Sequence, residues 1–137
     1  MFVDSGAWFA LFSARDQHHA EADQLFRVAA ARPTGLLTTN LILAEVHRLI
    51  LFRVGIRAAA MALDRIEASS LVRIEFASRD QHRTAREWLV RLHDQEISYT
   101  DAVSFAIMEE TRTPVALSFD DDFVRAGFSL WRMRPQK

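Results

Sequence analysis

Residues 114–123 constrain the fold of this chain more than any other stretch. They begin with a short apolar run that has a proline at its start, a pattern that indicates a fully buried strand of a parallel sheet. Three consecutive carboxylates, Asp120, Asp121 and Asp122, follow this run directly. Because like charges at the end of a buried strand repel one another, they require a compensating partner, and oxygen ligands in that position suggest a divalent cation. An alternative stays open at this point: the aspartates could simply cap a short helix over residues 121–126, where negative charge suits the helix dipole.

The composition is that of one ordinary globular domain, which we expect to span residues 1–137. Hydrophobic residues make up 50% of the chain and charged residues 26%, a balance that excludes a disordered protein. The chain has no cysteine, which excludes disulfides, thiolate zinc sites and cysteine nucleophiles and is compatible with a reducing cytoplasm. No signal-peptide pattern follows Met1, and the longest apolar stretch, residues 41–52, is too short to span a bilayer. We therefore expect a cytoplasmic protein with no membrane partner.

The net charge of −1 gives no evidence for a nucleic-acid partner by itself. All lysine and arginine positions except Lys137 are arginine, which is the better residue for planar, bidentate contact with phosphate. The chain nevertheless has no run of positive charge, and ion pairs on a solvated surface explain most of these arginines.

Short apolar runs alternate along the chain with segments of helical periodicity. The predicted strands cover residues 2–4, 36–38, 71–76, 114–119 and 128–133. The predicted helices cover residues 7–12, 18–31, 41–52, 56–68, 79–93, 102–111 and 121–126, and residues 134–137 form a frayed end. Strands that alternate with helices in this way predict a single α/β domain, with a parallel sheet flanked by helices on both faces.

Polar residues mark the starts of several predicted helices. Asp16 is the expected N-cap of the second helix, and Ser78 begins a capping box with Gln81. Ser98 and Asp101 repeat the capping-box spacing ahead of the sixth helix. Asp101 therefore has two open interpretations, a cap that satisfies a backbone amide or a functional carboxylate.

Glu45 lies in the predicted helix over residues 41–52, which is apolar almost all round and is therefore expected to be buried. A carboxylate on a buried face costs several kcal/mol unless it is paired or bound to a metal. The alternative is a surface pair with Arg48, one turn away, which contributes only a few tenths of a kcal/mol. If the helix is buried, Glu45 needs another partner.

Four short segments together resemble the motifs of the PIN-domain ribonucleases, and most closely those of the VapC-like toxins of bacterial and archaeal toxin–antitoxin pairs. The resemblance covers essentially the whole chain, and the last segment is its most specific element. The segments are F-V-D-S around Asp4, L-A-E-V around Glu45, Y-T-D-A around Asp101 and L-S-F-D-D-D-F around Asp120.

The resemblance implies a five-stranded parallel sheet of order 3-2-1-4-5, with Asp4 and Asp120 at the carboxyl ends of neighbouring strands. It also implies a metal-binding acidic cluster whose members carry the catalysis. The implied cluster consists of Asp4, Glu45, Asp101 and Asp120, supported by Asp122, with Ser5 and Ser118 as hydroxyl residues that steady it. Ser118 stands where the family often has threonine, a change that keeps the hydroxyl.

By the same resemblance, the expected cofactor is Mg²⁺ or Mn²⁺, and the expected reaction is hydrolysis of RNA by a metal-bound water, leaving 5′-phosphate and 3′-hydroxyl ends. The expected partners are an RNA substrate, a small cognate antitoxin and a second copy of the chain. Trp8, Phe9 and Phe12 are apolar enough to contribute to a homodimer if they are exposed.

Two other functions compete with this interpretation. The first is a non-catalytic module of the same fold that binds RNA or protein, which missing acids would favour, although all four are present. The second is a phosphatase of another doubly wound fold with Asp4 as covalent nucleophile. Such sites usually have a second aspartate close behind and a lysine downstream, whereas position 6 is glycine and the only lysine is Lys137.

Overall fold

A five-stranded parallel sheet of order β3-β2-β1-β4-β5 forms the centre of the protein, in a computed structural model that describes residues 1–133. The strands are β1 (Phe2–Val3), β2 (Leu36–Thr39), β3 (Val72–Glu75), β4 (Val115–Leu117) and β5 (Ser129–Leu130). The helices are α1 (Ser5–Phe12), α2 (His19–Ala30), α3 (Asn40–Arg53), α4 (Ile56–Ala68), α5 (Arg79–Arg91), α6 (Tyr99–Glu110) and α7 (Asp122–Arg125). The α/β class and the strand order are those expected from the sequence. The frayed end expected at residues 134–137 lies outside the described residues.

The register of β1 brings the ends of two sequence-distant strands together. Val3 is opposite Leu117 on β4, and the Asp4 amide donates to the Leu117 carbonyl at 3.2 Å. The residues that follow β1 and β4 therefore emerge side by side at the carboxyl edge of the sheet, where open α/β sheets bind ligands.

Phe123 anchors the segment that follows β4. Its side chain is fully buried, with its ring 6.2 Å from that of Phe2 and edge-on at 5.2 Å from that of Phe105. Burial of such a ring contributes about 1.5–3 kcal/mol. Because Phe123 is fixed in the core, the aspartates just before it have a defined position above the sheet.

The expectation that helix α3 is buried holds for only one of its faces. Ile42, Val46 and Ile50 face the core, whereas Phe52 is 74% exposed. The helix belongs to the outer layer and packs against α1 and α4, so only one of its faces is covered. An apolar helix can therefore have an apolar outer face, which composition alone does not exclude.

Two further expectations concern the start of the chain. Trp8 and Phe9 are 3% and 7% exposed and belong to the core, so they do not meet the condition of exposure set for a dimer contact, whereas Phe12 is half-buried. Asp16 does not cap α2, because the helix begins later, with His18 as N-cap, and the Asp16 carboxylate instead accepts the His18 amide at 2.9 Å in the preceding turn. The Ser78 capping box is confirmed.

Some boundaries also differ from those predicted. Strand β5 covers only Ser129–Leu130, because it pairs with β4 alone at the edge of the sheet. Helix α6 begins at Tyr99, before the predicted start. Within residues 1–133, no helix has the combined length and apolarity needed to cross a membrane.

Candidate metal centre

Asp4 connects the end of β1 to the start of α1. It is the N-cap of that helix, and its Oδ1 accepts a hydrogen bond from the Ser5 amide at 2.8 Å. Its Oδ2 accepts a hydrogen bond from Ser118 Oγ at 3.0 Å. Because the side chain is only 5% exposed and both oxygens are engaged, its position is fixed.

Ser118 also positions the aspartates that follow β4. Its Oγ accepts the Asp120 amide at 3.0 Å, and Asp120 Oδ1 in turn accepts the Asp122 amide at 2.9 Å. Asp120 thus satisfies a backbone amide at the start of α7, as the capping interpretation requires. Its second carboxylate oxygen remains available, so capping and ligand binding are compatible in this residue.

Asp101, Asp120 and Asp122 converge on one point. One carboxylate oxygen from each lies within 4.8 Å of the others, and all three side chains are half-buried. Asp101 comes from the first turn of α6, where Ser98 Oγ accepts its backbone amide at 3.1 Å. The amide of Asp101 is thus the group that is capped, while its carboxylate points to the other two acids.

Glu45 is half-buried on α3, and its Oε2 is buried without a hydrogen-bond partner among residues 1–133. Glu45 and Arg48 do not form the alternative surface ion pair in this part of the chain. A buried carboxylate oxygen without a donor carries its full desolvation cost. A proton or a cation at this position removes that cost.

The acids of the site are held in an environment that disfavours their charged forms. Burial raises the pKa of Asp4 to about 6. The hydrogen bonds that Asp4 accepts from Ser5 and Ser118 lower this pKa, whereas the charges of Glu45 and Asp120 raise it further. Burial, and next the charge of Asp4, raise the pKa of Asp101 to about 7. Burial likewise raises the pKa of Glu45, against a partial offset from the nearby Ser5 hydroxyl.

The structure therefore divides the seven residues singled out in the sequence into three sets. Three aspartates, Asp101, Asp120 and Asp122, form the compact group. Asp4 and Glu45 lie outside that 4.8 Å group but act on it through charge, since both raise the pKa of Asp101. Ser118 hydrogen-bonds Asp4, and Ser5 donates its amide to the same carboxylate.

A crevice of about 580 Å³ opens at this edge of the sheet. It is lined by Asp4, Ser5, Gly6, Leu49, Phe119, Asp120, Asp121 and Arg125. The chemistry of the site fits a hard divalent cation, because the carboxylate oxygens converge and one buried oxygen has no donor.

Sequence reasoning did not assign several residues of the crevice wall to the site, and Arg125 and Phe119 are the two that make specific contacts there. Arg125 Nη1 pairs with Asp122 Oδ1 at 2.6 Å, one helical turn away, and the i,i+3 spacing was a signal that could have found it. Phe119 stacks on His18 with ring centroids 4.2 Å apart. No local pattern links these two rings, because they lie far apart in the sequence.

The family model described as PIN domain matches residues 1–129. The chain belongs to the PIN domain family. The fold described above, with its strand order and its acids at the carboxyl edge of the sheet, is accordingly a PIN fold.

This PIN domain is similar over most of its length to curated relatives. It is 41% identical over 128 residues to the 23S rRNA-specific endonuclease VapC20 of Mycobacterium tuberculosis, an alignment that covers 93% of this chain and 95% of that protein. It is 28% identical over 123 residues to a VapC ribonuclease of Archaeoglobus fulgidus, covering 88% of this chain and 77% of the relative.

The similarity extends to three dimensions. The crystal structure of the Mycobacterium tuberculosis VapC20, described as a sarcin-ricin loop cleaving toxin, superposes with a TM-score of 0.88 at 40% identity. The superposition covers 96% of this chain and 98% of that one. The whole PIN domain, and not only its acidic motifs, is thus shared with that protein.

Proposed function

We propose that this PIN domain is a metal-dependent endoribonuclease that acts as the toxin of a toxin–antitoxin pair. The observation that carries the proposal is the convergence of Asp101, Asp120 and Asp122 within 4.8 Å at the carboxyl edge of the sheet. Arg125 pairs with Asp122, but Asp101 and Asp120 have no ion-pair partner among residues 1–133, and carboxylates crowded in this way favour a further cation. The 41% identity to a 23S rRNA-specific endonuclease supports ribosomal RNA as the substrate class.

The proposed cofactor is Mg²⁺ or Mn²⁺, held by Asp101, Asp120 and Asp122 together with Asp4 and Glu45. Mg²⁺ prefers octahedral oxygen coordination and keeps several waters, so one or two of these carboxylates suffice as direct ligands and the others hold its waters. When bound, the ion supplies an acidified water for attack on phosphorus and positive charge for the phosphoryl oxygens.

The protein's own residues prepare the site for this role. Ser118 holds Asp4 and the backbone of Asp120 in one geometry, so the acids need no rearrangement before they bind a ligand. With a pKa of about 7 for Asp101 and about 6 for Asp4, a fraction of the protein holds a proton in the site near neutral pH when no cation is present. Cation binding is therefore expected to release protons.

A cytoplasmic nuclease of this kind would damage its host unless a partner held it inactive. The chemistry of the crevice suits a peptide that covers the apolar wall near Leu49 and Phe119 and inserts an arginine or lysine among the carboxylates. A guanidinium pairs bidentately with carboxylates and stays charged at any relevant pH. We propose a small cognate antitoxin of this design, and a homodimer as the active form.

Expression in a bacterial host tests the proposal. The wild-type chain should slow growth, and co-expression of the antitoxin encoded beside it should restore growth. The Asp4→Ala variant should be harmless alone and should still bind the antitoxin through the apolar contacts. If soluble wild-type protein proves harmless without any antitoxin, the toxin proposal fails and the non-catalytic interaction module takes its place.

A further inference from the structure

A second concave site lies where helices α1 and α3 end. It encloses about 510 Å³ and is lined by Phe12, Ser13, Ala14, Arg15, Arg53 and Val54. Two of the six lining residues carry guanidinium groups, and none carries a carboxylate. The acidic crevice has the opposite charge balance, with Asp4, Asp120 and Asp121 on its wall.

Neither arginine of this site has a carboxylate partner in the described part of the chain. Arg15 and Arg53 form no ion pair with any residue in the range 1–133, in contrast to Arg125 and Arg132, which pair with acids. The Arg53 guanidinium lies 5.3 Å from the centre of the Phe9 ring, a contact that orients it without neutralising it. The two charges are therefore available to an anion.

Ser13 adds a hydrogen-bond donor to the same wall. It is 8% exposed, and its amide donates to the Phe9 carbonyl at 2.9 Å as the last bond of α1. Its hydroxyl makes no hydrogen bond to the residues that the structure describes, although it borders the cavity. This hydroxyl lines the cavity and can donate a hydrogen bond to an oxygen atom of a bound anion.

Helices α1 and α3 connect this site to the acidic crevice. Leu49 lines the crevice, and Arg53 lies one turn further along α3, about 6 Å away along the helix axis. Ser5 lines the crevice at the start of α1, and Phe12 lines the second site at its end, about 10 Å further along. A strand that rises roughly 3.4 Å per nucleotide, as each strand of a DNA duplex does along its axis, would cover these distances from the crevice wall in about two or three nucleotides.

We propose that Ser13, Arg15 and Arg53 form a subsite for a backbone phosphate of the RNA strand, two or three nucleotides from the bond that is cut. The proposal rests on the ribonuclease function proposed above and identifies arginines that contact the substrate. Two guanidinium groups and one hydroxyl on the same cavity wall match the charge and the acceptor oxygens of a phosphodiester. Because these groups would contact phosphate and not a base edge, the subsite positions RNA without selecting sequence.

The test compares the Arg15→Gln/Arg53→Gln double variant with a matched control, Arg86→Gln, which removes an exposed arginine on α5 outside both sites. All chains also carry Asp101→Asn, so that binding of a ten-nucleotide RNA is measured without cleavage. We expect the double variant to bind about tenfold more weakly, and the slope of log K against log salt to fall by about 0.7, the value for one phosphate of a single strand. The control should change neither quantity by more than twofold.

Two further arms decide what the subsite binds. A dinucleotide is too short to reach it from the crevice, so the double variant and its parent should bind a dinucleotide equally. Equal affinities of the two proteins for the ten-nucleotide RNA would overturn the proposal. Binding of inorganic phosphate is measured as a rise in the Tm of the parent that the double variant does not show. If the two proteins differ in phosphate binding but not in RNA affinity, the site binds a free anion and the proposal is likewise overturned.

Two controls distinguish failure of the subsite proposal from misfolding of the variant and from failure of the ribonuclease proposal. The single Arg15→Gln variant changes an exposed side chain and repeats the measurement if the double variant melts early. If the chain with intact Asp101 fails to cleave RNA while the binding difference is found, the nuclease proposal is wrong and the phosphate subsite remains.

Discussion

Ser118 donates a hydrogen bond to Asp4 at 3.0 Å although 114 positions separate the two residues in the sequence. The same hydroxyl oxygen accepts the amide of Asp120. One buried serine thus joins the ends of β1 and β4 and fixes two of the acids relative to each other. It is the contact through which the fold determines the geometry of the site.

Replacement of Ser118 by alanine should therefore damage both stability and metal binding. The change leaves the Asp120 amide and one oxygen of Asp4 without a partner, at a cost of about 1–3 kcal/mol. Urea denaturation measures the loss, and calorimetry with Mn²⁺ should show weaker binding. Ser118→Thr is the matched control, because it keeps the hydroxyl. Alanine and threonine variants that behaved alike would show that the hydroxyl has no such role.

The metal-free protein should lose stability as the pH rises from about 4 to about 7. The pKa of Asp4 is about 6 and that of Asp101 about 7 in the folded state, above the ordinary value of 3.8 for each. The folded state holds more protons in this range, so the stability present below about pH 4 is lost as the pH passes through the folded-state values. Asp4 alone accounts for about 3 kcal/mol, at about 1.4 kcal/mol per pH unit.

Denaturant unfolding in EDTA at several pH values measures this loss. The Asp101→Asn variant removes one of the titrating groups, so its stability should fall less steeply over the same range. A free energy of unfolding that stayed constant or rose between pH 4 and pH 7 would contradict the assignment of raised pKa values to these buried acids.

The parallel sheet could be predicted from the sequence because strands separated by helices favour parallel pairing. The strand order followed from the resemblance of the motifs around Asp4, Glu45, Asp101 and Asp120 to those of the PIN-domain ribonucleases, and the structure has that order. The roles of these four acids stay a prediction.

Other features of the structure depend on contacts between distant segments, which the periodicity of the sequence does not predict. The apolar pattern of α3 predicts that Phe52 is buried. In the structure Phe52 lies on the uncovered face of the helix and is exposed. The stacking of Phe119 on His18 joins segments that are remote in the chain. The start of α2 moved because the Asp16 carboxylate satisfied the His18 amide in a turn, a competing use of a capping residue.

Glu45→Gln should separate a metal ligand from a structural carboxylate. The substitution keeps the shape of the side chain and removes a partly buried charge, so the metal-free protein should be as stable as wild type or more stable. Mn²⁺ affinity should fall about 10- to 100-fold if Glu45 holds the ion or its waters. Glu67→Gln, an exposed change on α4, is the control. Unchanged Mn²⁺ affinity would remove Glu45 from the site.

Cleavage of 23S ribosomal RNA by the purified chain, with analysis of the product ends, tests the central claim most directly. We expect cleavage with Mg²⁺ or Mn²⁺ that EDTA abolishes, 5′-phosphate and 3′-hydroxyl ends, and a loss of at least about 100-fold in rate for Asp101→Asn. Cyclic-phosphate ends, or cleavage that continues undiminished in EDTA or in the Asp101→Asn variant, would contradict the assignment of the acidic cluster as a metal-dependent nuclease site.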